Sequence, residues 1–269
     1  MNNGGDTMYN KTAVITGASS GIGMELARQF AMRGYRLVMV ARRADKLWRL
    51  AEDMNRLYGI SSEVIQMDLA QPCAGEALWK AIEAVAPEID ALVNNAGVGD
   101  SGDFSGESPE VIERMLQLNI STLTLLTRFV LPGMVARRRG KILNVASLAG
   151  FQPGGPGMAV YYASKSYVLS FSRAIRRELH GSGVTVTTLC PGATRTEFEE
   201  TAKAQNTLLF KWSKPMTARE VALAGFEGMQ RGKAVVVPGW LNKFLAISPG
   251  FGPAALALEI NRFLLTERK

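Results

Sequence analysis

Residues 160–167, VYYASKSY, set two phenols, Tyr161 and Tyr162, four and three positions ahead of the Lys165 amine. Both spacings make neighbours on a helix surface. Helical geometry therefore leaves open which tyrosine faces the lysine, and leaves open a plain amphipathic helix that turns its aromatics to a core. As chemistry, the pair is an acid with a tuning cation. A tyrosine, whose phenol in water titrates near 10, donates a proton at neutral pH but is a poor base. An ammonium about 4 Å away would favour tyrosinate by up to about 4 kcal/mol at an effective dielectric of about 20. That is about three pKa units, enough to bring the phenol near 7. Such a group protonates an alkoxide in one direction and deprotonates an alcohol in the other.

A second group of residues could hold a cofactor beside that acid. TGASSGIG, Thr16 to Gly23, follows a β-branched run and leads straight into an amphipathic stretch. Gly17, Gly21 and Gly23 allow a tight turn and a close backbone approach, with Ser19, Ser20 and Ile22 in the same turn. The next helix would point its first amides and its dipole at a pyrophosphate. A flavin protein or a methyltransferase could carry the same loop, so the turn implies a phosphate site without fixing a reaction. The end of the next apolar run says more. Where a free adenosine ribose would want a carboxylate, the chain reads VARRADKL, with Arg42 and Arg43 after Ala41. Guanidinium pairs with phosphate in a charge-assisted, often bidentate way. The pattern favours a 2′-phosphate, hence NADP(H), with NAD(H) the less favoured alternative.

These residues need a scaffold, and the chain supplies alternating elements. Candidate strands are 13–16, 36–41, 63–69, 91–97, 141–147, 184–190 and 234–239, mostly continuous apolar runs of the kind buried on both faces. Amphipathic stretches lie between them at 21–33, 44–58, 73–86, 109–131, 160–180 and 217–231. The alternation predicts one α/β domain, a doubly wound, seven-stranded parallel sheet of the Rossmann type with helices on both faces. The segment 193–216 fits neither pattern and mixes charges with Phe198, Leu208, Leu209, Phe210 and Trp212. Above the carboxyl end of a strand, such an insert is placed to be a substrate lid.

Several ordered motifs then coincide: TGASSGIG, Asp68 after the third strand, NNAG at 94–97, Asn119 in LQLNI, Ser147 in NVAS, Tyr161 with Lys165, and PGATRT at 191–196. From Lys11 to Gly239 the chain resembles the short-chain dehydrogenase/reductase family in its TGxxxGxG form. The resemblance implies an oxidoreductase acting on a carbonyl or secondary alcohol. It implies a catalytic tetrad of Asn119, Ser147, Tyr161 and Lys165, and so selects Tyr161 over Tyr162, whose side chain would point about 100° round the helix to packing or a subunit contact. Ser147 would meet the substrate oxygen, Asn119 would hold a water that passes protons to Lys165, and Lys165 would also bind the nicotinamide ribose. Asp68 and Leu69 would hold the adenine, while Asn95, Ala96 and Gly97 would support the sheet and contact the adenosine ribose side. Pro191, Gly192 and Thr194 would sit by the nicotinamide. One departure is the 14-residue step from Ser147 to Tyr161, longer than the commonest spacing and absorbed by the loop LAGFQPGGPGMAV. A catalytically silent dinucleotide-binding sensor of the same fold is the alternative, and the intact tetrad argues against it. A methyltransferase is disfavoured by the Tyr/Lys pair together with NNAG.

Composition sets outer limits. The chain of 269 residues is 47% hydrophobic and 20% charged, as a globular enzyme should be, and its net charge of +7 contains no long basic tract. RRRGK at 137–141 reads as a cationic helix end rather than a nucleic-acid patch. Cys73 and Cys190 have neither disulfide-framework nor zinc spacing, which fits a reducing cytoplasm. No metal site is expected, and His180 reads as a helix-capping residue. Residues 1–10 read as a frayed polar arm without a signal peptide, and no run of 18 apolar residues predicts a spanning helix. Phe151 and the 193–216 insert suggest apolar pocket walls. The apolar tail from Trp240 to Lys269 could pack on a sister subunit, cover the active site or touch a membrane, with subunit packing favoured. The family resemblance implies a homodimer or homotetramer through helices matching 109–131 and 160–180.

Overall fold

The computed structural model describes residues 11–198, 202, 207, 215–248 and 252–265. The arm at 1–10, Leu208, Leu209, Phe210 and Trp212 of the insert, and residues 249–251 and 266–269 of the tail fall outside them. The strands are β1 (Thr12–Thr16), β2 (Arg36–Ala41), β3 (Ser62–Gln66), β4 (Ala91–Asn94), β5 (Gly140–Val145), β6 (Val184–Leu189), a short pair β7 (Thr194–Arg195) and β8 (Met216–Thr217), and β9 (Val235–Val236). The helices are α1 (Gly21–Ala31), α2 (Ala44–Tyr58), α3 (Ala74–Val85), α4 (Pro109–Leu116), α5 (Leu123–Ala136), α6 (Ala159–Glu178), α7 (Ala218–Gln230), α8 (Trp240–Ile247) and α9 (Ala254–Leu265).

Seven strands form one sheet in the order β3-β2-β1-β4-β5-β6-β9, and every pairing is parallel. This is the doubly wound Rossmann-type sheet that the alternation predicts. Period-two side-chain direction divides each strand between two cores. Ala13, Ile15, Leu37, Met39 and Val93 pack with Leu47 of α2, Phe30 of α1 and Phe226 of α7 on one face. Val14, Val38, Leu92 and Ile142 pack with Leu78, Leu126, Val130 and Ile175 from α3, α5 and α6 on the other. The chain order reverses beside β1, between β2 and β4, and such a switch point opens a crevice at the carboxyl ends of the strands.

Between α4 and α5 the backbone takes a π turn over Gln117–Thr122. The continuous rod Pro109–Ala136 is long and apolar enough, by length and composition, to cross a membrane. Here Met115, Asn119, Thr122, Leu126, Val130 and Met134 along it are buried. The RRRGK cations sit at the end of this rod, as expected. Arg137 donates to Ile89 O at 2.9 Å, Arg138 to Gly181 O at 3.0 Å, and Arg139 pairs with Asp90 at 2.9 Å.

A buried polar chain ties the sheet to α6. Asn94 Nδ2 donates to Asn144 Oδ1 at 2.9 Å and to Thr127 Oγ1 at 3.0 Å, and Asn144 Nδ2 donates to Ser172 Oγ at 2.9 Å. Buried polar groups that are paired in this way specify one arrangement of the elements that carry them. The helix bearing Tyr161 and Lys165 is thereby held in register with the strands that end beneath it.

The tail forms α8 and α9, neither of which the sequence pattern assigns. Its inner side folds back on the domain. Gln152 donates to Leu245 O at 3.1 Å, and Asn261 donates to Gly154 O at 2.7 Å. The tail lies over the crevice, which it lines through Leu241, Leu245, Leu256 and Ile260. Trp240, Phe244, Ile247 and Phe263 are exposed on the outer side, and Leu256 and Ile260 are exposed at the rim of the crevice.

Candidate active site

The glycine-rich turn is braced from below before it offers anything to a ligand. Thr16 Oγ1 accepts the N–H groups of Asn95 and Ala96, both at 3.0 Å, and Asn95 Nδ2 donates to Thr16 O at 2.9 Å. Asn95 thus supports the turn with its side chain. Gly17 adopts φ +68°, a conformation open to glycine. Gly23 leaves no room for a side chain, since a Cβ would lie 2.2 Å from Gly17 O and 2.4 Å from Asn95 Nδ2. Both neighbours are fixed, so Gly23→Ala is expected to cost about 2–3 kcal/mol, read as a fall in Tm of about 5–10 °C in a thermal melt.

Above this turn one cavity of about 840 Å³ runs from the end of β2 to the tail helices. Its walls include Gly17, Ser19, Ser20, Gly21, Ile22, Arg42, Arg43, Asp68, Leu69, Asn95, Ala96, Gly97, Ser147, Tyr161, Lys165, Pro191, Gly192 and Thr194. The structure therefore brings together every site residue named from the sequence except two. Gly23 lies beneath the turn, and Asn119 lies behind Gly97. Asn119 Oδ1 accepts the Val98 N–H at 3.0 Å, while its Nδ2 donates to Val98 O at 2.9 Å and Ser164 Oγ at 3.1 Å. Both amide hydrogens are committed, so the side chain pins the segment after β4 to the middle of the rod.

At the adenosine end the two arginines separate in role. Arg43 Nη2 donates to Ser20 Oγ at 2.8 Å and Ser19 Oγ at 3.1 Å, drawing the guanidinium against the turn. Arg42 lines the cavity with an exposed side chain. Glu197 bridges Arg43 at 2.6 Å and Lys46 at 2.8 Å, and hydrogen bonds from Lys46 and Arg43 hold its carboxyl down at about 2. Asp68 accepts from Arg114 at 2.9 Å. Burial pushes its carboxyl up, but hydrogen bonds from the Ala70 N–H, Arg114 and Gln71 together hold it below the usual range.

At the other end Ser147 caps a short 3-10 turn, Leu148–Phe151, by accepting the Ala149 N–H at 3.2 Å. Tyr161 and Tyr162 are both buried and face the same cavity, rings edge-on at 6.2 Å. Geometry now separates them. Lys165 Nζ lies 5.7 Å from the Tyr161 ring centre, and Ser147 hydrogen bonds to Tyr161, whereas Tyr162 packs on Gly155. Tyr162 is therefore a wall of the cavity, packed on Gly155. Burial lifts the Tyr161 phenol to about 12, only partly opposed by the Ser147 hydrogen bond. The expectation of a lysine-depressed phenol near 7 is corrected here. Lys165 donates to Val145 O at 3.1 Å, and burial lowers its amine to about 8. A second correction concerns Phe151, which lies under the Arg173 guanidinium at 5.5 Å instead of lining the cavity. The apolar wall comes from Met158, Phe198 and the tail residues Leu241, Leu245, Leu256 and Ile260. Phe198 lies 5.5 Å from Tyr161.

The short chain dehydrogenase family profile matches residues 11–207. The chain belongs to the short-chain dehydrogenase/reductase family. An oxidoreductase of Myxococcus xanthus of uncharacterized activity is 34% identical over 233 residues, 87% of this chain and 89% of its own. A short-chain dehydrogenase from Sphingobium yanoikuyae, solved in complex with NADPH, superposes with a TM-score of 0.78 at 35% identity, covering 90% of this chain and 93% of its own. The bulky-bulky ketone specific alcohol dehydrogenase from Comamonas testosteroni superposes at 0.75 with 32% identity, covering 90% and 94%. The sheet and crevice are those of this oxidoreductase family, which binds a nicotinamide dinucleotide. Arg114, Lys46, Glu197 and Asn261 join the site without any sequence spacing that marks them.

Proposed function

We propose that the chain is an NADP(H)-dependent reductase of bulky apolar ketones, or the dehydrogenase of the corresponding secondary alcohols, with Tyr161 as the acid in reduction and, as tyrosinate, the base in oxidation. The observation that carries this is one cavity with a phosphate-seeking cluster of Arg43, Ser19 and Ser20 at one end and Ser147, Tyr161 and Lys165 at the other. The residues fit the dinucleotide. Gly97 has no side chain where a Cβ would lie 3.3 Å from Lys165 Nζ, and the first turn of α1 carries no acidic residue that would repel a pyrophosphate. Bound there, the nicotinamide supplies or accepts the hydride. NADPH in the Sphingobium relative supports the cofactor choice, and the Comamonas enzyme supports a bulky ketone.

The chain's own residues would handle the proton and the geometry. With its phenol near 12, Tyr161 stays protonated at neutral pH and delivers its hydrogen to the developing alkoxide. Ser147 would donate to the same oxygen, and Lys165 would hold charge near the phenol as it ionises. Asn119 is a positioning residue acting through Val98. The apolar walls under α8 and α9 would exclude water from the transfer. We place the enzyme in the cytoplasm as a homodimer or homotetramer, with subunit contacts on the exposed sides of α4–α5 and α6.

The test is oxidation of NADPH with a graded panel of bulky and small ketones, and of NADH in parallel. Turnover of bulky ketones with NADPH supports the proposal, and binding without turnover of any carbonyl would favour a silent sensor. Arg43→Ala is expected to weaken NADPH about 10–100-fold, the range of a charged hydrogen-bond cluster, and to leave NADH binding unchanged in a fluorescence titration.

A further inference from the structure

The phosphate-seeking cluster already holds an anion of the protein's own. Glu197 reaches across from the segment after β7, with Oε2 on Arg43 Nη1 at 2.6 Å and Oε1 on Lys46 Nζ at 2.8 Å. The same guanidinium donates to Ser19 and Ser20. Glu197 lines the cavity together with Arg42 and Arg43. Its neighbour Phe198 packs on Tyr161 at the opposite end, and the Phe198 N–H is held by Thr196 Oγ1 at 3.3 Å. Two consecutive residues therefore touch the two ends of one site.

We infer that Glu197 is an internal competitor for the 2′-phosphate subsite, so that a 2′-phosphorylated dinucleotide must displace it and thereby frees the segment that carries Phe198. A phosphate near two negative charges and a carboxylate cannot share one guanidinium without repulsion. The carboxylate stays ionised at every working pH, since Lys46 and Arg43 hold it at about 2. The competition is consequently permanent rather than pH-gated. Free ribose hydroxyls carry no charge for Glu197 to repel, and its carboxylate is held by Arg43 and Lys46, so its repulsion falls on the phosphorylated cofactor. It sets the margin between NADPH and NADH, and it links cofactor loading to the wall over Tyr161. Both ion pairs are partly exposed, which limits the size of the effect.

This inference rests on the NADP(H) assignment, and the experiment separates the two. Adenosine 2′,5′-bisphosphate and 5′-AMP are titrated calorimetrically against the wild-type chain, Arg43→Ala and Glu197→Gln. The expected result is a wild type that prefers the bisphosphate, Arg43→Ala that loses the preference, and Glu197→Gln that binds the bisphosphate about three- to tenfold tighter with 5′-AMP unchanged. A wild type that does not prefer the bisphosphate would overturn the NADP(H) assignment and this inference with it. A preference that Glu197→Gln leaves unchanged would overturn the inference alone. A weaker bisphosphate affinity in Glu197→Gln would overturn it too, by showing a clasp over the cofactor instead of a competitor.

Discussion

Tyr161→Phe lowers turnover by about 10²–10⁴-fold, the usual contribution of a positioned acid, while NADPH affinity stays within about twofold. The substitution removes one hydroxyl from a ring that keeps its packing against Phe198 and Tyr162. Tyr162→Phe is the control, because its ring lies on Gly155 in the same cavity. That variant keeps most of its turnover. Single-turnover reduction of a bulky ketone, with cofactor binding measured separately, tells the two apart. Loss of activity in Tyr162→Phe with retention in Tyr161→Phe would move the acid by one residue and undo the role given to Ser147 and Lys165.

Lys165→Met removes activity and raises stability, two effects that a purely structural lysine would not produce together. The buried amine titrates at about 8, below the 10.5 of a lysine in water. Between those values the folded chain binds fewer protons than the unfolded one, so wild-type stability rises as pH climbs from about 8 to 10.5. Below about 8 the full cost of burying the charge applies, about 3 kcal/mol at 1.36 kcal/mol per unit. Methionine avoids that cost but leaves Val145 O without its donor, a loss of about 1 kcal/mol. The net gain, about 1–2 kcal/mol, corresponds to a rise in Tm of about 2–5 °C near neutrality. The gain shrinks toward pH 10.5 as the wild-type amine loses its proton in both states. A variant that is less stable than wild type at pH 7 would show that Lys165 is held as a favourable ion, contrary to this expectation.

What the sequence made legible follows from where the information is local. Strand β2 and helix α2 have the bounds read from RLVMVA and ADKLWRLAEDMNRLY, because each is bracketed by turns and carries an unbroken apolar run or stripe. AVVVPG shortened to Val235–Val236, an edge strand that pairs only with β6 before Pro238 ends it. Tyr161, Lys165 and the glycine-rich turn were legible because their spacing is itself the signal. Glu197 was not, since it meets Arg43 across 154 residues and nothing near it in the chain marks the contact. The tail is legible only as apolar, because a helix pair with one side on a cavity and another exposed shows no clean polar stripe. The phenol's acidity escapes the sequence for a related reason. Spacing reveals the cation but not the burial, and burial is the larger influence on Tyr161.

The π turn at Gln117–Thr122 carries a consequence for how this molecule could change. From Met115 to Met134 the buried side of the rod advances nineteen residues in five turns, where 3.6 per turn would allow eighteen. One surplus residue shifts the phase of everything after it, and Asn119 sits inside that shift. Deleting a residue there would let the rod regularise as an ordinary helix with its sheet contacts intact at both ends. It would also rotate Asn119 off Val98 and loosen the floor under Lys165. The two ends of the rod are thus in step with the sheet only because its middle is out of step with itself.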